Sequence, residues 1–456
     1  MLRIMLLVIV LLGLPELAVA AEFENMGLTG TQRGIYCVLV FVIAYVFVMT
    51  EEYTHLRKSK PVVLAAGIIW AHVAYLATEN GVPTEELHLA LELNLKEYAE
   101  LMLFLLVAMT YINAMAERNV FEALRSWLIS RKFDYRQLFL ITGVITFFLS
   151  AVADNLTSAL LVGAVVMAVG VGNAKFVSLG LINLVVAANA GGAFSPFGDI
   201  TTLMVWQAGK AEFFEFFALF FPSVVNYAIP AALMYSAVPD GAPEFNSKEK
   251  RVSMKPGAIA ICSLFAITIV LAVSFKQFLN LPPFMGMMTG LSLLMIYGYR
   301  LQLIYTRNNE PDEFDIFNKV RDAEWDTLLF FFGVVFAVGG LGYIGYLELV
   351  SAGLYDGLGA TTANIIVGFL SAIVDNIPVM FAVLSMSPEM DLYQWLLVTL
   401  TAGVGGSMLS IGSAAGVALM GQSKGKYTFV SHLKWAPAIA LGYFVSIFIH
   451  YLLNAS

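Results

Sequence analysis

Leu149-Ser150-Ala151-Val152-Ala153-Asp154-Asn155 and Leu370-Ser371-Ala372-Ile373-Val374-Asp375-Asn376 write one short motif twice, deep in apolar sequence. An ionisable residue inside a membrane segment is costly and marks a functional site by default. Two such residues, each followed by Asn in matching halves of a chain, point to one duplicated ion or substrate site. Each motif sits midway along an apolar stretch of about thirty residues, too long for one untilted span of about 20. Two half-helices meeting at mid-membrane suit that length better.

Composition sets the frame for this reading. The chain has 456 residues, 59% of them hydrophobic and 13% charged, where a soluble protein carries about 25% charge. Apolar runs at 36–50, 213–235, 256–273 and 435–453 are candidate spanning helices. The net charge of −8 and the lack of a basic, aromatic-laced stripe argue against nucleic acid as a partner. Cys37 and Cys262 both lie in apolar runs and form no disulfide framework or metal cluster by spacing. No Gly-Lys-Ser/Thr phosphate loop is present, so transport would not be driven directly by ATP on this chain. The expectation is a carrier without cofactor, not an enzyme.

Residues 1–21 read as a signal peptide: Arg3 precedes an apolar stretch, and Ala18-Val19-Ala20 fits a cleavage site. The alternative is an uncleaved first helix. Residues 22–60 then hold one span and a basic loop with Arg57, Lys58 and Lys60. A first membrane repeat is expected over 61–236, a cytoplasmic linker with Pro239, Gly241 and Pro243 over 237–255, and a second repeat over 256–456. Basic stretches near Arg118–Arg136, Lys248–Lys255 and Arg300–Arg321 should be cytoplasmic, and the acidic segment Glu79–Glu92 external. Lys210 is the exception to this scheme.

The duplication extends beyond Asp-Asn. Glu97-Tyr98-Ala99-Glu100-Leu101-Met102-Leu103-Phe104 parallels Glu324-Trp325-Asp326-Thr327-Leu328-Leu329-Phe330-Phe331, and Gly191-Gly192 with Gly198-Asp199 parallels Gly405-Gly406 with Gly412-Ser413. The order is the same in both halves. The Glu97 helix starts from the acidic side and the Glu324 helix from a basic loop, so the repeats should be inverted in the membrane. The expected fold is an all-α polytopic membrane protein of roughly 11 to 13 spans, with two re-entrant hairpins and two unwound helices.

Asn189-Ala190-Gly191-Gly192-Ala193-Phe194-Ser195-Pro196-Phe197-Gly198-Asp199-Ile200-Thr201-Thr202 cannot continue a regular helix and should unwind. Its counterpart, 403–413, brings Ser410 and Ser413 where the first copy has Pro196 and Asp199. An ordinary surface loop is the alternative for both. Pro378, lacking an N–H, fits the start of a half-helix after the second Asp-Asn break. Candidate ion ligands are therefore Asp154, Asn155, Asn189, Asp199, Thr201, Thr202, Asp375, Asn376, Ser410 and Ser413. Candidate hinge positions are Gly191, Gly192, Pro196, Gly198, Pro378, Gly405, Gly406 and Gly412. Carboxylate, amide and hydroxyl oxygens are what a small hard cation takes. Carboxylates crowded in a low-dielectric cavity would also hold protons, so Na⁺ and H⁺ would compete for the site. The structural alternative has Asn capping a kink and Asp paired with a lysine, yet no Lys or Arg lies inside an apolar run to serve. Glu97, Glu100, Glu324 and Asp326 read first as helix-start residues favoured by the dipole, and second as a proton path.

Residues 150–156, 189–202, 371–378 and 405–416 together resemble the NhaD-type sodium/proton antiporters of the ion transporter superfamily. The resemblance covers nearly the whole chain and is most specific over 189–202. It implies a multi-pass antiporter of the bacterial inner membrane, exchanging cytoplasmic Na⁺ or Li⁺ for H⁺ mainly at alkaline pH. It also implies a scaffold part that often dimerises, beside a transport part bearing the paired hairpins. Two rivals stand: a sodium-coupled carboxylate symporter of the same architecture, and a membrane protein that transports nothing.

Overall fold

The computed structural model describes residues 25–131, 133–243, 252–308 and 314–455. The expected signal segment lies outside these residues, as does the middle of the expected linker. Among the described residues the regular elements are helices. Nine are long and apolar enough to cross a bilayer, and a tenth crossing results if Tyr346–Asp356 and Ala360–Ile373, bent by 119°, count as one. The chain is a multi-pass membrane protein. Among the described residues this is fewer than the roughly 11 to 13 spans expected of the chain, and several apolar stretches are cut by breaks into helices too short to span, such as Asn155–Val169, Asn376–Met386 and Leu392–Gly405.

One helical group comprises α1 (Gln32–Met49), α2 (Ser59–Glu79) and α3 (Thr84–Glu117) from the first half. After the amphipathic α4 (Val120–Ser130), a second group begins with α5 (Tyr135–Ala153), α6 (Asn155–Val169), α7 (Ala174–Gly192), α8 (Ile200–Gln207) and α9 (Phe220–Tyr235). The second half returns to the first group with α10 (Ala258–Leu279), α11 (Pro283–Asn308) and α12 (Trp325–Ile344). It then adds α13 (Ala360–Ile373), α14 (Asn376–Met386), α15 (Leu392–Gly405), α16 (Ala414–Gln422) and α17 (Ala436–Asn454) to the second. Each half thus builds part of both groups.

Contacts fix the helix directions. Ser59 on α2 bonds Asp326 beside the start of α12, and the Trp70 indole donates to the Phe336 carbonyl at 2.7 Å, so α2 and α12 run parallel. Tyr98 of α3 packs edge-on to Phe332 at 5.3 Å, while Asn113, further along α3, reaches back to the Lys319 carbonyl. So α3 runs antiparallel to α12, and the matching segments that begin at Glu97 and Glu324 run in opposite directions.

The motif-bearing segments turn back on themselves. The rings of Tyr135 and Phe176, at the starts of α5 and α7, pack tilted with centroids 4.6 Å apart, and Ser150 donates to the Ala188 carbonyl near their ends. Parallel α5 and α7 require the intervening α6 to return to the end from which α5 set out. The second half repeats this: Gln394 near the start of α15 bonds Thr361 and Asn364 of α13, and Ser371 donates to the Ala402 carbonyl. The two serine-to-carbonyl bonds, 2.7 and 2.6 Å, occupy matching positions of the two halves.

Basic segments gather at one end of the molecule. Lys319 pairs with Glu117 at 2.8 Å, the Lys255 amide donates to the Arg118 carbonyl, and the Tyr135 amide to that of Gly241. At the other end Arg33 pairs with Glu79, and Asn25 bonds Glu348. Lys210, the exception by charge, is a real exception: it lies beyond α8, donating to Ser387 at 3.0 Å with its ammonium over the Trp395 ring.

Candidate functional site

Two broken helices cross at the centre of the second group. After α7 ends at Gly192 the backbone opens over 193–199 and re-forms as α8, with Asp199 as its N-cap (φ −145°, ψ 151°). After α15 ends at Gly405 it opens again and re-forms as α16 with Ser413 as N-cap (φ −144°, ψ 150°). The matching backbone angles put an acidic and a hydroxyl cap at equivalent breaks. Close backbone approach holds the breaks in place. A Cβ on Gly191 would overlap the Phe147 carbonyl, and one on Gly405 the Gly368 carbonyl, so α7 abuts α5, and α15 abuts α13, at these points. Gly198 approaches Gly192, and Gly412 approaches Gly406, closing each opened segment on itself. Pro196 stands at the turn of the first segment and lines the cavity beside it.

The two halves are exchanged at their tips. Short α8 packs on α14 and α15 of the other half, while α16 packs on α6 and α7. That crossing brings five expected residues into one hydrogen-bonded knot. Asp199 Oδ2 accepts from the Asn155 amide at 3.1 Å and from the Asn376 amide at 2.9 Å. Asn155 also donates to Asn189 at 3.4 Å, and Asn189 donates to Ser413 Oγ at 3.1 Å and to the Val185 carbonyl. Asp199 Oδ1 accepts from the Thr201 amide. Asn155, Asn189, Asp199, Asn376 and Ser413 are all buried. Amide dipoles thus replace the water a carboxylate loses on burial, but they supply no full countercharge.

The remaining candidates have distinct surroundings. The Thr202 hydroxyl donates to the carbonyls of Ser195 and Asp199, which makes it a support of the break. The hydroxyls of Thr201 and Ser410 are buried without a hydrogen-bond partner. Asp154 adopts φ 57° at the α5–α6 break and accepts the amide and hydroxyl of Thr157 at 2.9 and 2.7 Å. Asp375 caps nothing, with Pro378 in the first turn of α14.

Asn155 and Asn376 are the first residues of α6 and α14, and both turn their amides onto Asp199. One expectation is corrected. The apolar runs hold no lysine, but Lys58, from the basic loop before α2, reaches inward to Asp375 Oδ2 at 3.4 Å. The reason is reach: a four-carbon stem carries an ammonium from outside an apolar run into it.

Lys58, Glu324, Thr327 and Thr157 join Asp154, Asn155, Asp199 and Asn376 around one cavity of about 80 Å³. From sequence Glu324 is expected at a helix start and Lys58 in a basic loop, and neither they nor Thr157 and Thr327 are among the candidate ligands. Thr157 was visible in principle as a hydroxyl three residues after Asp154. An adjoining cavity of about 250 Å³ holds Lys58, Asp375, Ser413, Glu51 and Tyr45. A third, about 300 Å³, lies toward the acidic end and is lined by Lys96, Glu97, Glu100, Met204 and Gln207. Asp199, Ile200 and Leu203 face the first cavity whereas Met204, Gln207 and Ala208 face the third, so little more than a turn of α8 separates them. No group of three or more His, Cys, Asp or Glu among the described residues gathers as a resident metal site.

Compared with known proteins, residues 4–404 match the family CitMHS, described as citrate transporter. The chain is 56% identical to a protein of Vibrio cholerae serotype O1 named Na(+)/H(+) antiporter NhaD, over 99% of this chain and 98% of that one. It is 53% identical to a protein of Alkalimonas amylolytica with the same name, over 96% of this chain and 94% of the relative. Sodium/proton antiporter 1 of Arabidopsis thaliana is 32% identical over 88% of this chain and 69% of its own length.

Proposed function

Because the chain belongs to the NhaD-type sodium/proton antiporters, within the family described as citrate transporter, we propose that it exchanges cytoplasmic Na⁺, and Li⁺, for H⁺. Its place is the bacterial inner membrane, with the basic end in the cytoplasm. The observation that carries the reading is the knot around Asp199, where one carboxylate takes amides from both halves at 3.1 and 2.9 Å. Such a group can hold either a proton or an alkali cation, whose remaining ligands would be amide and hydroxyl oxygens such as those of Asn189, Thr201, Ser410 and Ser413. Asp154 and Asp375 complete the ionisable set.

Two re-entrant hairpins and two unwound helices, related as an inverted repeat, are the architecture proposed for this site. The turned-back α5–α6 and α13–α14 segments, the matched caps and the antiparallel α3 and α12 support it. Exchange follows if the first and third cavities are alternately joined to the knot by movement of α8. Competition for one site is sufficient, provided the empty, unneutralised site does not cross.

The symporter reading is less favoured. A carboxylate substrate would meet Asp154, Asp199 and Glu324 around one cavity, and full-length relatives above half identity are named antiporters. Everted vesicles from an antiporter-deficient strain decide between them. Addition of NaCl or LiCl should dissipate the proton gradient in wild type, choline chloride should not, and Asp199→Asn should abolish the response. Citrate or succinate uptake without cation-driven proton movement would reverse the assignment.

A further inference from the structure

The two Asp-Asn motifs share their letters but not their hydrogen bonds. Three residues after Asp154 stands Thr157, whose amide and hydroxyl both engage the carboxylate at 2.9 and 2.7 Å. Three residues after Asp375 stands Pro378, which has neither donor. Asp375 therefore takes no capping bond: Oδ1 is buried without a partner, and Oδ2 faces the Lys58 ammonium at 3.4 Å.

Lys58 is placed for this carboxylate and is held there loosely. Its ammonium lies 4.5 Å from the Phe330 ring centroid, and its side chain is 15% exposed. Ser59 beside it is tied to Asp326 at 2.5 Å, and Glu324 accepts from Thr327, so both neighbouring acids are engaged. Glu51 lines the same cavity as Asp375. Lys58 also lines the cavity containing Asp154 and Asp199, so it stands where the two meet.

We propose that Lys58 is a tethered counter-cation: its ammonium neutralises Asp375 when the site holds no Na⁺, and incoming Na⁺ displaces it. Lys58 thereby sets the apparent Na⁺ affinity. The inference rests on the exchange reading above. A buried carboxylate without countercharge is expensive to carry through a low-dielectric path. A single-point lysine contact, unlike a bidentate arginine, can be released without dismantling a fixed fork.

The test is Na⁺ titration of gradient dissipation at fixed pH in wild type, Lys58→Gln, Lys58→Arg, Asp375→Asn and the Lys58→Gln/Asp375→Asn double variant. Lys58→Gln should lower the KM for Na⁺ about threefold, the size of a partly solvated ion pair, and reduce the maximal rate. Lys58→Arg, which keeps the charge but presents a fork that is harder to release, should raise the KM for Na⁺, and Lys58→Gln should change KM less when Asp375 is already Asn. A Na⁺-dependent thermal shift of the purified proteins should give the same order without transport. Lys58→Met, of similar length, carries the same expectation if Lys58→Gln fails to accumulate. An unchanged or raised KM in folded Lys58→Gln or Lys58→Met overturns the tethered-cation role alone. Absence of any Na⁺ response in wild type overturns the exchange reading and this role together.

Discussion

Thr201 and Thr202 are adjacent and chemically alike, yet the site uses them differently. The Thr202 hydroxyl donates to two backbone carbonyls at 2.8 and 2.6 Å, whereas that of Thr201 is buried and unengaged. Thr202→Val should therefore lose about 1–3 kcal/mol of stability, visible as a lower melting temperature in detergent. Thr201→Val should leave stability nearly unchanged and raise the KM for Na⁺, with Thr201→Ser restoring it. Equal destabilisation by both would remove Thr201 from the ligand set. Asn376→Ala deletes one of two side-chain amides on the Asp199 carboxylate. A lost bond to a charged group is worth about 1.5–3 kcal/mol, so exchange should fall at least about tenfold while Asn155 still supports folding.

At the scale of elements, the breaks depend on helices in backbone contact. Gly191→Ala and Gly405→Ala place a methyl against a carbonyl of the neighbouring helix, where no side chain can yield. Each should cost about 1–3 kcal/mol and lower activity, whereas Gly421→Ala, which meets nothing within 4 Å, should be neutral or mildly stabilising in α16. The second break has a further brace outside the spanning helices. His432 donates from Nε2 to the Ser407 carbonyl at 2.9 Å and accepts the Tyr427 hydroxyl at Nδ1 at 2.7 Å. Burial pulls its imidazole down to about 4, so the folded protein binds fewer protons than the unfolded chain between about pH 6.5 and 4. The stability tied to neutral His432 is complete above about pH 6.5 and is lost as pH falls toward 4, by about 3 kcal/mol. Melting temperatures measured across that window should fall less steeply in His432→Gln. An equal slope would remove the histidine from the acid response.

For the whole molecule, the proposed inversion makes a labelling prediction. Single cysteines at Glu85 and Glu389, in a chain with Cys37 and Cys262 replaced by Ser, should react with an impermeant maleimide from the periplasmic side. Cysteines at Arg57 and Lys319 should react only in everted vesicles. Labelling of Glu85 and Lys319 positions from one side would break the inverted relation, because the matching segments of α3 and α12 would then enter together. The cavities of about 80 and 300 Å³ meet successive turns of one face of α8, so in the proposed exchange a displacement of that short helix would change which of them reaches the knot.

Much of this was legible in the residues themselves. Apolar runs require spanning helices, because lipid offers no partner for an open backbone. Gly, Pro and Asn at repeated positions mark where those helices break, and a buried Asp marks where charge is needed. Those are local constraints, and a linear sequence displays them. It does not display which breaks meet. That Asn155 and Asn376 converge on Asp199, that Glu324 borders the same cavity, and that Lys58 answers Asp375 are consequences of two halves crossing at their tips. The Thr157 and Pro378 difference was printed in the sequence, yet it became meaningful only when one carboxylate was found capped by its own helix and the other left to a lysine. Hydrogen bonds and charge pairs between distant residues are decided by packing, which no local pattern records.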